Sequence, residues 1–217
     1  MILGYLILKQ TKIMTFKEFI DKKLSGEDIS KIKSLDVSVK LNSYTQKIED
    51  LYGIEDFLNL ETLSARDQEL SELPELPKKL KRLDVSRNKI FKFSFEEFPK
   101  RLKFLDLSEN STLFRIPILH KKLIDLRLSG TAITCIDKIP EALEILLIDA
   151  TKSLNEIKEF SLSTPIKGFL MNGSKLAQII GSDSLNDLLL HVNLRAGHDC
   201  RGEASIMDTG LFDFKTN

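Results

Sequence analysis

Leu80-Lys-Arg-Leu83-Asp-Val85-Ser-Arg-Asn88-Lys-Ile90 is the stretch of this 217-residue chain that decides its fold. The phrase L-x-x-L-x-L-x-x-N-x-L recurs seven times, more or less strictly, at intervals of 19 to 23 residues. The seven copies begin at Leu60, Leu80, Leu102, Leu123, Leu143, Ile166 and Leu185. A fixed period of this length indicates one structural coil per copy, and no coil can bury its apolar side alone. The copies must therefore stack into one continuous core.

The period and the leucine spacing predict a leucine-rich-repeat solenoid, which is a curved single sheet of parallel strands with one short return segment in each coil. The prolines all lie between the predicted strands, where they do not interrupt a parallel ladder. They are Pro74, Pro77, Pro99, Pro117, Pro140 and Pro165. Because proline fixes φ, it favours extended returns over helical ones. We therefore expect a thin, mostly non-helical convex side.

The ninth position of each copy normally holds asparagine, whose amide can bond the backbone of neighbouring coils. In this chain the position is occupied by Gln68, Asn88, Asn110, Thr131, Thr151, Ser174 and Asn193. Threonine and serine replace the amide only in part, because a hydroxyl offers fewer hydrogen bonds to the local backbone. The ladder is therefore expected to be weaker between residues 131 and 174.

The N-terminal segment, residues 1–31, contains a predicted capping helix at 15–24, since Thr15-Phe-Lys-Glu18 has the form of a capping box. Residues 32–59 hold a degenerate first strand and an insert whose three-residue apolar rhythm favours a 3₁₀ or helical return rather than a strand. The regular tract spans 60–195, and 196–217 form a polar tail or partial cap. The first eight residues lack the features of a cleavable signal peptide. Whether translation starts at Met1 or Met14 stays open.

The overall composition argues against several functions. Lys+Arg and Asp+Glu both number 32, so no excess charge attracts nucleic acid or anionic lipid. No segment is long and apolar enough to span a membrane. Cys135 and Cys200 are too few and too distant for a disulfide framework, which favours a reducing compartment. We expect a cytoplasmic protein, or one translocated into a host cell without a cleavable signal peptide.

The stretch Glu72-Leu-Pro-Glu-Leu-Pro-Lys-Lys-Leu80, continued through Ile90, resembles the short repeats of bacterial secreted effectors of the YopM and IpaH type. The resemblance covers about residues 60–195, and the region 48–60 looks more like internalin-type repeats. It implies a protein-binding surface that is delivered into, or displayed to, another cell.

IpaH-type ligases carry a nucleophilic cysteine in a C-x-D motif within a separate catalytic domain, and Cys135-Ile-Asp137 matches those letters. It lies inside the repeat tract, so we expect Cys135 to pack as a small apolar residue. We expect no catalysis, no cofactor and no metal. The alternative is a substrate-recognition part of a ligase-like enzyme whose catalytic domain lies elsewhere.

The positions between the leucines should point onto the concave face. There the fifth position changes from the charged Asp84, Asp106 and Arg127 to leucine. The expected partner-binding strip consists of Leu147, Leu170 and Leu189 with Ile145 beside them, flanked by Asp149, Asn172 and His191. Asp84, Asp106 and Arg127, further along the same face, are also expected to contact the partner. We predict a monomer that binds a protein partner there. Two alternatives stay open: the tail, through Leu211, Phe212 and Phe214, covers the strip, or the register of the last copies is wrong.

Overall fold

A seven-stranded parallel sheet forms the concave side of the solenoid. The computed structural model describes residues 12–39, 46–151, 153–159, 164 and 166–170. Each coil contributes one short strand to the sheet: β2 (Ser34–Asp36), β4 (Thr62–Ser64), β6 (Arg82–Asp84), β8 (Phe104–Asp106), β9 (Asp125–Arg127), β11 (Ile145–Leu147) and β13 (Gly168–Leu170). From β4 onward, each strand occupies the third to fifth positions of its copy. The predicted fold and the register of six copies are confirmed, and the seventh, at Leu185, lies outside the described residues.

The core is built from the first, fourth and sixth positions of the copies. Between Leu60 and Ile148 these side chains are almost completely removed from water: Leu60, Leu63, Ala65, Leu80, Leu83, Val85, Leu102, Leu105, Leu107, Leu123, Leu126, Leu128, Leu143, Leu146 and Ile148. They belong to one apolar cluster that runs along the rod. Burial of this kind is the main favourable term in folding, and here each coil depends on its neighbours for it.

The convex side is thin, as predicted. It contains the two-stranded parallel pairs β5 (Glu72–Leu73) with β7 (Lys92–Phe93), and β10 (Cys135–Lys138) with β12 (Glu156–Glu159). No return segment between residues 60 and 151 is helical. The prolines of these segments lie outside the strands, where the absence of an N–H costs no ladder hydrogen bond.

The predicted capping helix is confirmed as α1 (Phe16–Lys23). The Thr15 hydroxyl accepts from the Glu18 N–H at 3.2 Å, and the Glu18 carboxylate accepts from the Thr15 N–H at 2.8 Å. Phe16 is fully buried, and its ring centroid lies 5.8 Å from that of Phe57. The helix thereby covers the first end of the core.

The insert after the first strand differs from the prediction in one respect. Its end forms a 3₁₀ turn at Ile54–Asp56, as the apolar rhythm indicates, but β3 (Lys47–Ile48) pairs in parallel with β1 (Ile13–Met14). The rhythm therefore misassigned Ile48, which is buried in a strand because β1 from the N-terminal segment supplies a partner. That pairing joins residues more than thirty positions apart, so it cannot be predicted from a local sequence pattern.

Two features hold the bend after each strand. The eighth residue of five successive coils has a left-handed backbone, with φ between 54° and 70°: Asp67, Arg87, Glu109, Gly130 and Ala150. The ninth residue then turns its side chain into the coil. Gln68, Asn88, Asn110, Thr131 and Thr151 are all buried at this position. Together they reverse the chain at the same height in every coil.

Candidate binding face of the solenoid

The concave face is made of side chains that alternate with the buried leucines along each strand. Pairing across the sheet places Ser64, Asp84, Asp106, Arg127, Leu147 and Leu170 side by side, Cα to Cα. This is the fifth-position row that the sequence predicts. Adjacent parallel strands lie about 4.8 Å apart, so neighbours in the row are within contact distance.

An aromatic platform lies at the centre of the concave face. The Arg82 guanidinium carbon is 3.4 Å from the centroid of the Phe104 ring, and that of Arg127 is 5.0 Å away. A guanidinium over a ring is attracted by the negative face of the π-system. Phe104 is thereby almost buried, while Arg82 remains exposed. The strands β6, β8 and β9 each contribute one member of the platform.

The platform is not among the predicted site residues, because that prediction rests on the fifth and seventh positions and, apart from Ile145, not on the third. The third position also points outward in a strand of this register. An available signal was Phe104 itself, an aromatic residue at an outward position where neighbouring copies carry charges.

The aspartates on this face have unequal environments. Arg127 donates to both carboxylate oxygens of Asp125, at 3.0 and 2.9 Å, and this hydrogen bonding raises the pKa of Arg127. Asp84 is buried and accepts from the N–H and hydroxyl of Ser86, at 3.2 and 2.7 Å. Asp106 accepts from the Ser108 N–H at 2.9 Å. Burial raises the pKa of Asp106, and the nearby Asp84 carboxylate adds to that effect.

The Asp-x-Ser arrangement has a structural role as well. In three coils a fifth-position aspartate accepts from the backbone N–H two residues later: Asp36 from Ser38, Asp84 from Ser86 and Asp106 from Ser108. Such side-chain turns satisfy a backbone donor where the strand ends. Asp84 and Asp106 therefore help to form the bend, whatever they contribute to a partner.

The predicted apolar strip begins directly beside the platform. Ile145 and Leu147 are half-buried, and their Cα partners are Asp125 and Arg127. Leu170 lies opposite Leu147 in β13. Asp149 is exposed at the seventh position. Asn172, Leu189 and His191, together with the tail, lie outside the described residues.

The C-x-D motif lies on the convex side, in β10. Cys135 is half-buried, and its Sγ is 3.7 Å from Asp137 Oδ1 and 3.6 Å from Glu156 Oε2. Burial raises the pKa of the Cys135 thiol; the nearby Lys158 ammonium opposes this effect, and both carboxylates add to it. A nucleophilic cysteine needs a lowered pKa instead. This environment therefore favours an unreactive thiol, held by weak hydrogen bonds rather than by the purely apolar packing that we expected.

Two further observations concern the described residues only. They contain no group of three or more His, Cys, Asp or Glu side chains arranged to hold a metal ion. They also contain no helix that is long and apolar enough to cross a bilayer.

Comparisons with known proteins add little to the geometry. No protein-family model matches the chain, and no curated protein matches it. Among solved structures, it is similar to YopM from Yersinia enterocolitica WA-314, with 19% identity and a TM-score of 0.34. The match covers 66% of this chain and 42% of that one. The fold assignment rests on the strand register of this chain.

Proposed function

We propose that the chain is a protein-interaction scaffold that binds a protein partner along its concave face. The observation that carries this proposal is the continuity of that face across β6, β8, β9 and β11. It changes from the Arg82–Phe104–Arg127 platform to the half-buried Ile145 and Leu147 without interruption. Aromatic and arginine side chains beside an apolar centre are typical of specific protein interfaces.

The apolar strip is the proposed centre of this interface. Leu147 and Leu170 are neighbours in the sheet, and Leu189 continues the same position of the repeat. Asp149, Asn172 and His191 would then form a polar rim around the leucines. Binding energy concentrates at the desolvated centre of an interface, so the leucines should matter more than the rim.

The platform provides a second anchor. Its guanidinium groups are held over Phe104, so a partner that binds them loses little side-chain entropy. Asp106 lies between Asp84 and Arg127 in the fifth-position row and has no ion pair with a described residue. A basic group of the partner could bind there. Delivery of the chain into another cell is a further part of the proposal, and its support is the resemblance of residues 72–90 to effector repeats.

Affinity capture with variant chains tests the proposal. Proteins retained by the purified wild-type chain are compared with those retained by Leu147→Asp and by Leu170→Asp. The matched control is Phe114→Asp, because Phe114 is 52% exposed in a return segment, outside the concave sheet. We expect one partner to be captured by wild type and control, and to be captured about 30-fold less by either concave-face variant. Equal capture by all four chains would contradict the proposal.

Deletion of residues 203–217 distinguishes a partner from the tail as the cover of the strip. If the strip is free to bind, the deletion leaves capture and the binding of an apolar dye unchanged. An increase in both would show that the tail covers the leucines in the full chain. Circular dichroism and thermal unfolding of each variant establish that its fold is retained.

A further inference from the structure

A row of positive charges runs along one edge of the solenoid, where each return segment turns into the next strand. Three successive turns read Lys78-Lys-Leu-Lys81, Lys100-Arg-Leu-Lys103 and Lys121-Lys-Leu-Ile124. We call their cations the basic ridge: Lys78, Lys79, Lys81, Lys100, Arg101, Lys103, Lys121 and Lys122. All eight residues are exposed, and these turns contain no acidic residue. The next turn, at Glu141, carries no cation.

The ridge is continuous because the three turns have the same geometry and stack on one another. In each turn, the N–H of the leucine donates to the carbonyl three residues earlier, at 3.0, 2.9 and 3.0 Å. The Lys103 N–H donates to the Lys81 carbonyl at 2.8 Å, and the Ile124 N–H donates to the Lys103 carbonyl at 2.8 Å. Equivalent cations therefore repeat at about the spacing of neighbouring strands, 4.8 Å.

Few of these charges are neutralised by the rest of the described chain. Lys81 pairs with Glu61 at 2.8 Å, and Lys79 donates to the Asn59 side chain at 2.5 Å. The other six side chains make no ion pair or hydrogen bond with a described residue. Equivalent cations of neighbouring coils lie within the screening length of about 8 Å at physiological ionic strength, so their potentials add along the ridge. Overall neutrality therefore conceals a local excess of charge.

Two open grooves, lined by both apolar and charged side chains, border the ridge. One groove, of about 460 Å³, has Leu76, Phe95 and Phe98 in its wall and Lys78 and Arg101 at its rim. Phe95 and Phe98 meet edge to face, with ring centroids 5.3 Å apart. A second groove, of about 270 Å³, shares Glu97 and Phe98 with the first. An apolar side chain can therefore be buried beside the cations.

The ligand class follows from the glutamates around the same grooves. Glu75 and Glu97 line the larger groove, and Glu97 and Glu141 line the smaller one. A nucleic-acid backbone or an anionic bilayer presents continuous negative charge, which these carboxylates would repel. A polypeptide can place acidic side chains on the ridge and an apolar side chain in the groove. We propose that the ridge and its grooves bind an acidic polypeptide segment bearing bulky apolar residues, on a surface separate from the concave face.

Fluorescence anisotropy with a synthetic glutamate-rich peptide containing two phenylalanines tests this proposal. The ridge variant combines Lys100→Glu, Arg101→Glu and Lys121→Glu. A matched control, Lys17→Glu with Arg87→Glu and Arg115→Glu, makes the same change in net charge at exposed sites away from the ridge. We expect the ridge variant to bind about tenfold or more weakly, the control to bind within about twofold of wild type, and affinity to fall as salt is added.

Three comparison ligands separate the possible classes of partner. A peptide with its phenylalanines replaced by serine should bind more weakly than the original, because the grooves then stay empty. A single-stranded oligonucleotide and vesicles containing phosphatidylserine should bind more weakly than the acidic peptide. Tighter binding of either would overturn the peptide assignment. Absence of peptide binding, or equal losses in ridge and control variants, would overturn the ridge as a site. Neither result bears on the concave face.

Discussion

The coils around Asn88 and Asn110 are joined differently from the coil around Thr131. The Asn110 amide donates to Val85 of the preceding coil and to Leu107 of its own, at 3.1 and 2.8 Å, and its carbonyl accepts from the Ile90 N–H at 2.9 Å. The Thr131 hydroxyl donates only within its own coil, to the Leu128 carbonyl at 2.7 Å. Adjacent coils share the same core packing throughout, but an amide adds directional bonds between them. The stacking is therefore reinforced unevenly along the rod.

The outward face changes over the same part of the chain. The coils joined by Asn88 and Asn110 carry Arg82 and Phe104 of the platform, whose third member, Arg127, lies in the coil of Thr131. The next coil, which contains Thr151, carries Ile145 and Leu147. The more strongly joined coils hold charged groups in place, whereas the apolar end lies where fewer directional bonds restrain the stack.

Removing a core leucine tests whether the two regions fold as one unit. Leu107→Ala should lower the free energy of unfolding by about 2–5 kcal/mol, because it opens a cavity between coils. Leu128→Ala, in the threonine-containing coil, is the comparison. We expect one cooperative transition for wild type and both variants in thermal unfolding. Two resolved transitions would mean that the regions unfold separately.

Exchanging the ninth-position residues tests the difference between the regions directly. Asn110→Ala should cost about 1–3 kcal/mol, since it leaves the buried Ile90 N–H and the Leu107 carbonyl without their partner, although the Val85 carbonyl still accepts from the Asn88 amide at 2.9 Å. Thr131→Asn should instead add bonds to the preceding coil and raise the free energy of unfolding. Denaturant titration measures both. A cost near zero for Asn110→Ala would show that packing alone joins the coils.

The left-handed bend offers a smaller test. Gly130 has φ of 70°, and Gly130→Ala should cost about 1 kcal/mol because a Cβ disfavours this backbone. The new Cβ would also lie 2.7 Å from a Glu109 carboxylate oxygen, but that exposed side chain can move away. Ala150→Gly, at φ 54° in the next coil, is the reciprocal variant and should be stabilising or neutral. If Gly130→Ala and Ala150→Gly changed the free energy of unfolding by the same sign and size, the cost of a Cβ in the left-handed backbone could not be the cause.

The smallest expected effect is the contribution of Asp106 to the pH dependence of the free energy of unfolding. Its folded-state pKa lies above the ordinary value of 3.8, chiefly because of burial, so the native state favours the protonated form. Stability should therefore fall as pH rises from the unfolded-state pKa through the folded-state pKa. Asp106→Asn removes this penalty and should unfold at higher denaturant than wild type at neutral pH, but not in acid. Asp36→Asn, at an exposed counterpart, controls for loss of a charge.

Much of the fold could be predicted because every copy of the repeat shows the same spacing of inward-pointing leucines. Leu83, Leu105 and Leu126 each indicate an inward position, and the period between them implies stacking. The capping box at Thr15 is equally local, since its two partners are three residues apart. The pairing of β1 with β3 could not be predicted in this way, because neither strand has a periodic pattern of its own.

The candidate site was predictable as a row of positions but not as a set of contacts. Alternation along a strand places Asp106, Arg127 and Leu147 on one face. It does not say that Arg127 turns to Asp125 in its own strand, or that Asp106 is left half-buried without an ion pair to any described residue. These outcomes depend on which side chains meet across coils and how much water each retains.

The sequence by itself determined the solenoid, the positions of its strands and the identity of its outward rows, because a leucine period is a local property that stacking must satisfy. Only the tertiary structure decided that Arg82 and Arg127, from coils on either side, converge on Phe104. It also decided that cations about twenty residues apart form one ridge in a chain of zero net charge. Composition sums charges over the whole chain, whereas a partner meets only those that folding has brought to one surface.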